Sequence, residues 1–270
     1  MKKLGAFLAG VGLLASATFA ADSNTATSVN AVGFFNVTLP AYGQFIVVGS
    51  PFDATGNDTN VQRTLNDVFG GNCGLRKSTS RSQVDRVYVW DVSSQKYLIL
   101  GQKTNDLFAP VATATTWNQP TNIVIPRGYA MFVQSWSAAT TDSVITLAGQ
   151  VPSAVSNSLP ILGDPGSSPF QMLVNPYPLD TTLDSLINSN NGAYASSSRS
   201  QCDRVYVWDK VSQKYGILGL KAPSNRWFYC STATLWSSNI PPVSVGIGEG
   251  FWYIGKTNFT WSSGKTYVWP

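Results

Sequence analysis

The heptapeptide DRVYVWD occupies Asp85–Asp91 and returns unchanged at Asp203–Asp209, 118 positions further on. It is the best-preserved part of a much longer match. Upstream, SRSQ at 80–83 recurs at 198–201, and Leu65 answers Leu183. Downstream, SQKYLILG at 94–101 answers SQKYGILG at 212–219, and TATTW at 113–117 answers TATLW at 232–236. Gly128–Val133 answers Gly248–Tyr253, and Leu39-Pro40 answers Leu159-Pro160. The landmarks keep their order while the offset drifts only from 118 to 120, so the chain is a tandem duplication. Each copy is longer than the roughly 20–50 residues of a solenoid repeat and has the size of a domain. The expected layout is 1–20 as a leader, 21–151 as domain 1, 152–157 as a linker around Pro152-Ser153-Ala154, and 158–270 as domain 2.

Within a copy the strands announce themselves. QFIVV at 44–48 is a continuous apolar run, the mark of a buried strand. RVYVW at 86–90 is apolar at both alternating sets of positions, so it reads as a central strand covered on both faces. DVSSQ at 91–95 is a turn, and the chain comes back through 96–100, completing a hairpin. Residues 129–134 and 144–147 add two further strands. Thr64 and Thr182 each precede a short helical pattern that they can cap. The expected fold is all-β: two similar antiparallel β-sandwich or partly open barrel domains in tandem, with six to eight strands and at most one short helix each.

Lys2 and Lys3, the small apolar run after them and Thr18-Phe19-Ala20 read as a secretory signal peptide. No later apolar run is long enough to be a membrane helix, so no membrane insertion is expected after its removal. Without Lys2 and Lys3, sixteen of the eighteen basic residues remain against fourteen acidic ones, a net charge of +2. Arg76, Lys77 and Arg81 are the densest basic spot and sit among Ser and Thr, so no nucleic-acid partner is expected. Charged residues make up only 12% of the chain, about half the usual share, a composition associated with exported proteins.

An oxidising compartment permits a disulfide. With the copies aligned at offset 118, Cys202 falls on Val84 and Cys230 on Ala112, which places the two cysteines at neighbouring sites. A Cys202–Cys230 bridge is expected, closing a loop of about 28 residues worth about 3–4 kcal/mol in the chain-entropy model. Cys73 is then left as a free thiol or a link between subunits.

The chain offers little material for catalysis. It has no His and a single Glu, Glu249. Ser-His-Asp and Cys-His arrangements cannot be written, nor can a His/Cys zinc site. No Asp pair stands out as a glycosidase dyad. Asp85, Asp91, Asp203 and Asp209 bracket strands, where Asp commonly caps turns. DATGNDTN at 53–60 has oxygen donors around a Gly but lacks the bidentate Glu of an EF-hand, and its counterpart at 178–181 drops most of them, so it reads as a turn. Neither an enzyme nor a cofactor is expected.

Nine Trp residues raise a carbohydrate reading, because flat rings stack on sugars. Trp90, Trp208, Trp117 and Trp236 repeat and are assigned to packing. Trp136, Trp227, Trp261 and Trp269 do not, and are the candidates for a sugar platform or a subunit contact. The stretch VNAVGFFNVTL at 29–39 is expected to be the first strand of domain 1. The alternative is a strand lent to the open sheet edge of a neighbouring subunit, with Val29, Val32, Phe34, Val37 and Leu39 as its assembly residues.

NAVGFFNVTLP at the front, VDRVYVWD and GYAMFVQ in the first half, and CDRVYVWD and GEGFWY in the second resemble a family of secreted, tandemly duplicated β-domain proteins of environmental bacteria. The resemblance spans nearly all of the chain after the leader. It implies export and duplication, and no catalytic residues. The chain departs from the family pattern at Arg127-Gly128-Tyr129, where Gly-Glu-Gly is usual, and in its cysteines. The expected function is that of an extracellular, non-enzymatic structural protein that partners itself in a filament or surface layer. Binding of extracellular polysaccharide is the alternative.

Overall fold

The computed structural model describes residues 31–54, 63–111, 117, 120, 123–164, 166–167, 169–230, 236–237 and 242–267. Residues 1–20, expected as a leader, and Val29, Ala112, Trp269 and the loop donors beyond Ala54 lie outside the described residues. The fold is all-β and consists of two similar halves.

The first half comprises β1 (Val32–Leu39), β2 (Phe45–Gly49), β3 (Arg63–Thr64), α1 (Leu65–Phe69), β4 (Arg86–Asp91), β5 (Lys96–Gln102), β6 (Phe108–Pro110), β7 (Val124–Ile125), β8 (Ala130–Gln134) and β9 (Ser143–Gln150). The second comprises β10 (Ser156–Ile161), β11 (Phe170–Val174), β12 (Thr181–Thr182), α2 (Leu183–Leu186), β13 (Arg204–Asp209), β14 (Lys214–Lys221), β15 (Arg226–Tyr229), β16 (Ser244–Val245), β17 (Gly250–Ile254) and β18 (Phe259–Gly264). Among the described residues each half thus has nine strands rather than six to eight, plus a one-turn 3₁₀ segment. The surplus comes from the two-residue ladders β3–β7 and β12–β16, which are too short to carry a periodic pattern.

Each half has a five-stranded antiparallel sheet, ordered β2-β8-β4-β5-β6 in the first and β11-β17-β13-β14-β15 in the second. The heptapeptide strands β4 and β13 are the middle strands. Their hairpins share one register: Arg86 faces Gly101 as Arg204 faces Gly219, and Asp91 faces Lys96 as Asp209 faces Lys214. Each half also has a separate two-stranded ribbon, β1–β9 or β10–β18. The ribbon closes over one face of its sheet, and Thr64 and Thr182 cap the short helices as expected, Thr64 within a capping box.

The alternation of β4 shows why both of its faces are apolar. Val87 and Val89 point into the core of their own half, which includes Leu39, Ile46, Met131 and Leu147. Tyr88 and Trp90 point the other way. They meet a third cluster, made by both halves, with Val47, Ala130 and Phe132 from one and Met172, Val174 and Trp252 from the other. Val205 and Val207 against Tyr206 and Trp208 repeat the arrangement in β13. The five-stranded sheets therefore pack face to face, and the molecule is layered ribbon, sheet, sheet, ribbon.

The tyrosines of these layers couple the fold to pH. Burial raises the pKa of Tyr97, Tyr129, Tyr177, Tyr215 and Tyr253, and pushes Tyr267 up to about 12. A raised folded-state pKa contributes stability that is whole below the unfolded value near 10 and lost as pH rises through the folded value. The urea midpoint is expected to stay level to about pH 9 and to fall steeply above about pH 10. Phenolate absorbance from Tyr177 and Tyr253, 2% and 0% exposed, should rise with unfolding rather than ahead of it.

Candidate functional site

The seam between the sheets has near-twofold symmetry. Trp90 Nε1 donates to the carbonyl of Phe170 at 2.7 Å, and Trp208 Nε1 donates to that of Phe45 at 2.9 Å. Gln95 accepts from Phe170 N at 2.9 Å and returns a bond to its carbonyl at 3.3 Å. Gln213 treats Phe45 the same way, at 2.8 and 3.1 Å. Both glutamines sit at φ 52°, a left-handed conformation costly for a residue with a side chain. The turn holds that conformation while its amide seals the end of a strand in the other half. At the far end of the same strands, Gly49 N donates to Gly248 O and Val174 N to Gly128 O, each at 2.9 Å. Arg127 adds a further tie. It pairs with Asp53 at 2.9 Å, donates to Asn157 at 3.2 Å and lies over the Tyr177 ring.

The aspartates of the heptapeptide divide into two roles. Asp85 is buried and accepts from Arg76 N and Trp136 N, both at 2.7 Å. Asp203 is fully buried and accepts from Tyr194 N and Lys256 N, both at 2.6 Å, and from the Tyr253 hydroxyl. Burial raises both carboxyl pKa values against the pull of these bonds. They anchor loops to the middle strands. Asp91 and Asp209 are exposed turn caps. Asp91 is held near a pKa of about 2 by bonds from Ser94 and Ser93, and Asp209 is lowered by bonds from Ser212 and Val211.

Among the described residues, Trp136, Trp227 and Trp261 do not form the expected platform. Trp227 and Trp261 are 2% and 1% exposed, deep in the second core, and donate to Ile187 O and Leu186 O. Trp227 takes the place of Phe108, offset 119, so an aromatic residue is present in both copies. Trp136 lies under the Arg76 guanidinium, 4.1 Å from the ring centre. Trp90 and Trp208 do pack as expected, each against a tyrosine of its own half, Tyr97 or Tyr215, and also against the opposite half through Trp252 or Phe132.

The cysteines also differ from expectation. All three are free thiols, and no Cys202–Cys230 bridge is present. Cys202 is buried with its sulfur directed at Arg199 O, whereas Cys230 directs its sulfur at Phe228 O. The strand pairing places Cys230 opposite Val111 rather than Ala112: both donate to the same carbonyl position, Ile217 and Ile99. Burial lifts the Cys202 thiol to a pKa of about 11. Cys73 is 3% exposed inside the first core, 4.0 Å from Gln102 Oε1, and so is not placed to join subunits.

The remaining candidate surface is the first ribbon. β1 pairs with β9 over its full length, from Val32–Gln150 to Leu39–Ser143, so it serves as the first strand of its own half. Phe35, Val37 and Leu39 face the core. Val32 and Phe34 face outward, 67% and 70% exposed, and Val144 of β9, 55% exposed, lies on the same side further along the ribbon, opposite Thr38. Asn36 and Thr146, joined at 2.8 Å, complete an outer face without a charged residue. No second strand pairs with β1 among the described residues. The equivalent ribbon is polar: Ser156, Ser158 and Pro160 of β10 and Thr260 and Ser262 of β18 are exposed, and the hydroxyls of Ser158 and Ser262 meet at 3.1 Å.

No protein-family model, curated protein or solved structure matches the chain.

Proposed function

We propose that this is an exported structural protein that associates with copies of itself through the outer face and free edge of the β1–β9 ribbon. The observation that carries the reading is the contrast between the ribbons. Exposed strand edges are usually blunted by Lys, Pro or polar residues. β10 has Pro160 and serines; β1 has Val32 and Phe34 and no charge. Exposed Val32, Phe34 and Val144 on the uncharged outer face of one ribbon, where its duplicate carries serines, threonine and proline, favour a partner on that side. A second copy supplies a matching uncharged strand without requiring a further component. The leader-like first twenty residues and the resemblance to secreted, duplicated β-domain proteins support export.

Sedimentation velocity from micromolar to near-millimolar protein tests this. Wild-type protein is expected to grow in mass with concentration. Phe34→Lys is expected to remain a monomer, because it places an ammonium in the apolar contact. Ser158→Lys, on the polar ribbon, is expected to behave as wild type. Equal behaviour of wild type and Phe34→Lys would reject the ribbon as the contact.

A further inference from the structure

The duplication places two equivalent hollows along the seam, one beside each repeated tryptophan. Beside Trp208 there is a single groove of about 590 Å³. Beside Trp90 the space is divided into hollows of about 180 and 520 Å³. The difference lies in a few aligned positions. The inner hollow at Trp90 is walled by Pro126, Tyr129 and Met172. The groove at Trp208 has Gly246, Glu249 and Val47 in their places. Pro126, Tyr129 and Met172 on one side are thus answered on the other by Gly246, the only glutamate in the chain and Val47, which leaves the space there undivided.

We infer that the groove at Trp208 binds a neutral oligosaccharide. Its volume lies within the roughly 300–1,000 Å³ of small-ligand sites. Aromatic surface comes from Trp208 and from Tyr229, which is 37% exposed. Polar groups surround the rings. Glu249 Oε2 accepts from Gly246 N at 2.9 Å, which fixes the carboxylate and leaves its other oxygen to accept a sugar hydroxyl. Asn36 spends its carbonyl oxygen on Thr146 and keeps its amide N–H groups for donation. Apolar ring faces flanked by a fixed acceptor and donors match a sugar, which presents C–H faces and a hydroxyl rim. Asp209 and Glu249 against Lys210 leave the wall with a net charge of −1, which disfavours an anionic chain.

The test is a glycan array of neutral tri- to hexasaccharides probed with the purified protein. Intrinsic tryptophan fluorescence titration follows with the β-1,4-glucose, β-1,4-N-acetylglucosamine and α-1,4-glucose hexaoses. Saturable binding of at least one neutral oligosaccharide is expected, with Kd of about 1 mM or tighter. Glu249→Tyr, which installs the residue of the opposite hollow, is expected to weaken binding at least threefold while thermal stability is retained. Tyr129→Glu, on the other side, is expected to leave it unchanged. Phe34→Lys leaves every groove residue in place and, as a monomer, does not cover Asn36, so it is expected to bind at least as tightly as wild type, and failure of self-association and failure of this site are read separately. The inference is overturned if no neutral oligosaccharide binds, or if Glu249→Tyr loses less than threefold.

Discussion

Trp252→Ala is expected to lower the stability of the whole molecule by about 3–5 kcal/mol, the range for truncating a large buried aromatic residue. Trp252 is 6% exposed at the centre of the seam. Its ring lies 5.0 Å from that of Trp90, 5.6 Å from Phe170 and 6.3 Å from Phe132, and its Nε1 donates to the Tyr215 hydroxyl at 3.0 Å. Truncation opens a cavity between the sheets and leaves Tyr215 without that partner. The loss falls on both halves, because each sheet uses this face as a second core. Trp252→Phe installs the residue that stands at the equivalent position, Phe132, and is expected to cost much less. Urea unfolding followed by near-ultraviolet circular dichroism measures both changes. A loss below about 1 kcal/mol for the alanine variant would mean that the seam carries little of the stability.

Asp203→Asn is expected to cost about 2–4 kcal/mol despite its near-identical shape. Both carboxylate oxygens of Asp203 accept from backbone N–H groups, Tyr194 on one and Lys256 on the other. An asparagine must turn its NH₂ towards one of them, setting donor against donor in a buried site. The Tyr253 hydroxyl must also find a new arrangement. Asp85→Asn meets the same conflict with Arg76 N and Trp136 N but involves no third donor, so a smaller loss is expected. Thermal midpoints check the order, at about 2–4 °C per kcal/mol for a chain of this size. Equal midpoints for wild type and Asp203→Asn would show that the carboxylate is not the anchor the geometry makes it.

Much of the fold is legible in the repeated words. DRVYVWD reads as a two-faced middle strand, SQKY as the return of a hairpin, and Thr64 as a helix cap, because each rests on local pattern. The partner of the second face is not legible. An apolar alternation reports that a face is covered, and here the cover comes from the other copy. The repeated Gln95 and Gln213 were visible as letters, but their role depends on a left-handed turn meeting a strand from the opposite half. Trp227 does not read as a repeat because its counterpart is Phe108, and an offset of 118 puts Cys230 one residue off where the offset has shifted to 119. Val111, the true counterpart of Cys230, still sits with Val84, the counterpart of Cys202, over Gly101, so the two cysteine sites are neighbours without being bridged. For the ribbon, the sequence yielded the strand and its apolar residues. Only the pairing with β9 separates the outward Val32 and Phe34 from the inward Val37 and Leu39.

The central claim is self-association through β1, and hydrogen exchange at two protein concentrations tests it most directly. In an antiparallel pair, alternate amides of β1 point away from β9 and exchange with solvent in the monomer. At high concentration these amides are expected to become protected in wild-type protein, while β10 is unchanged and Phe34→Lys shows no effect. Exchange of β1 that does not depend on concentration, in a protein that stays monomeric, would contradict the account.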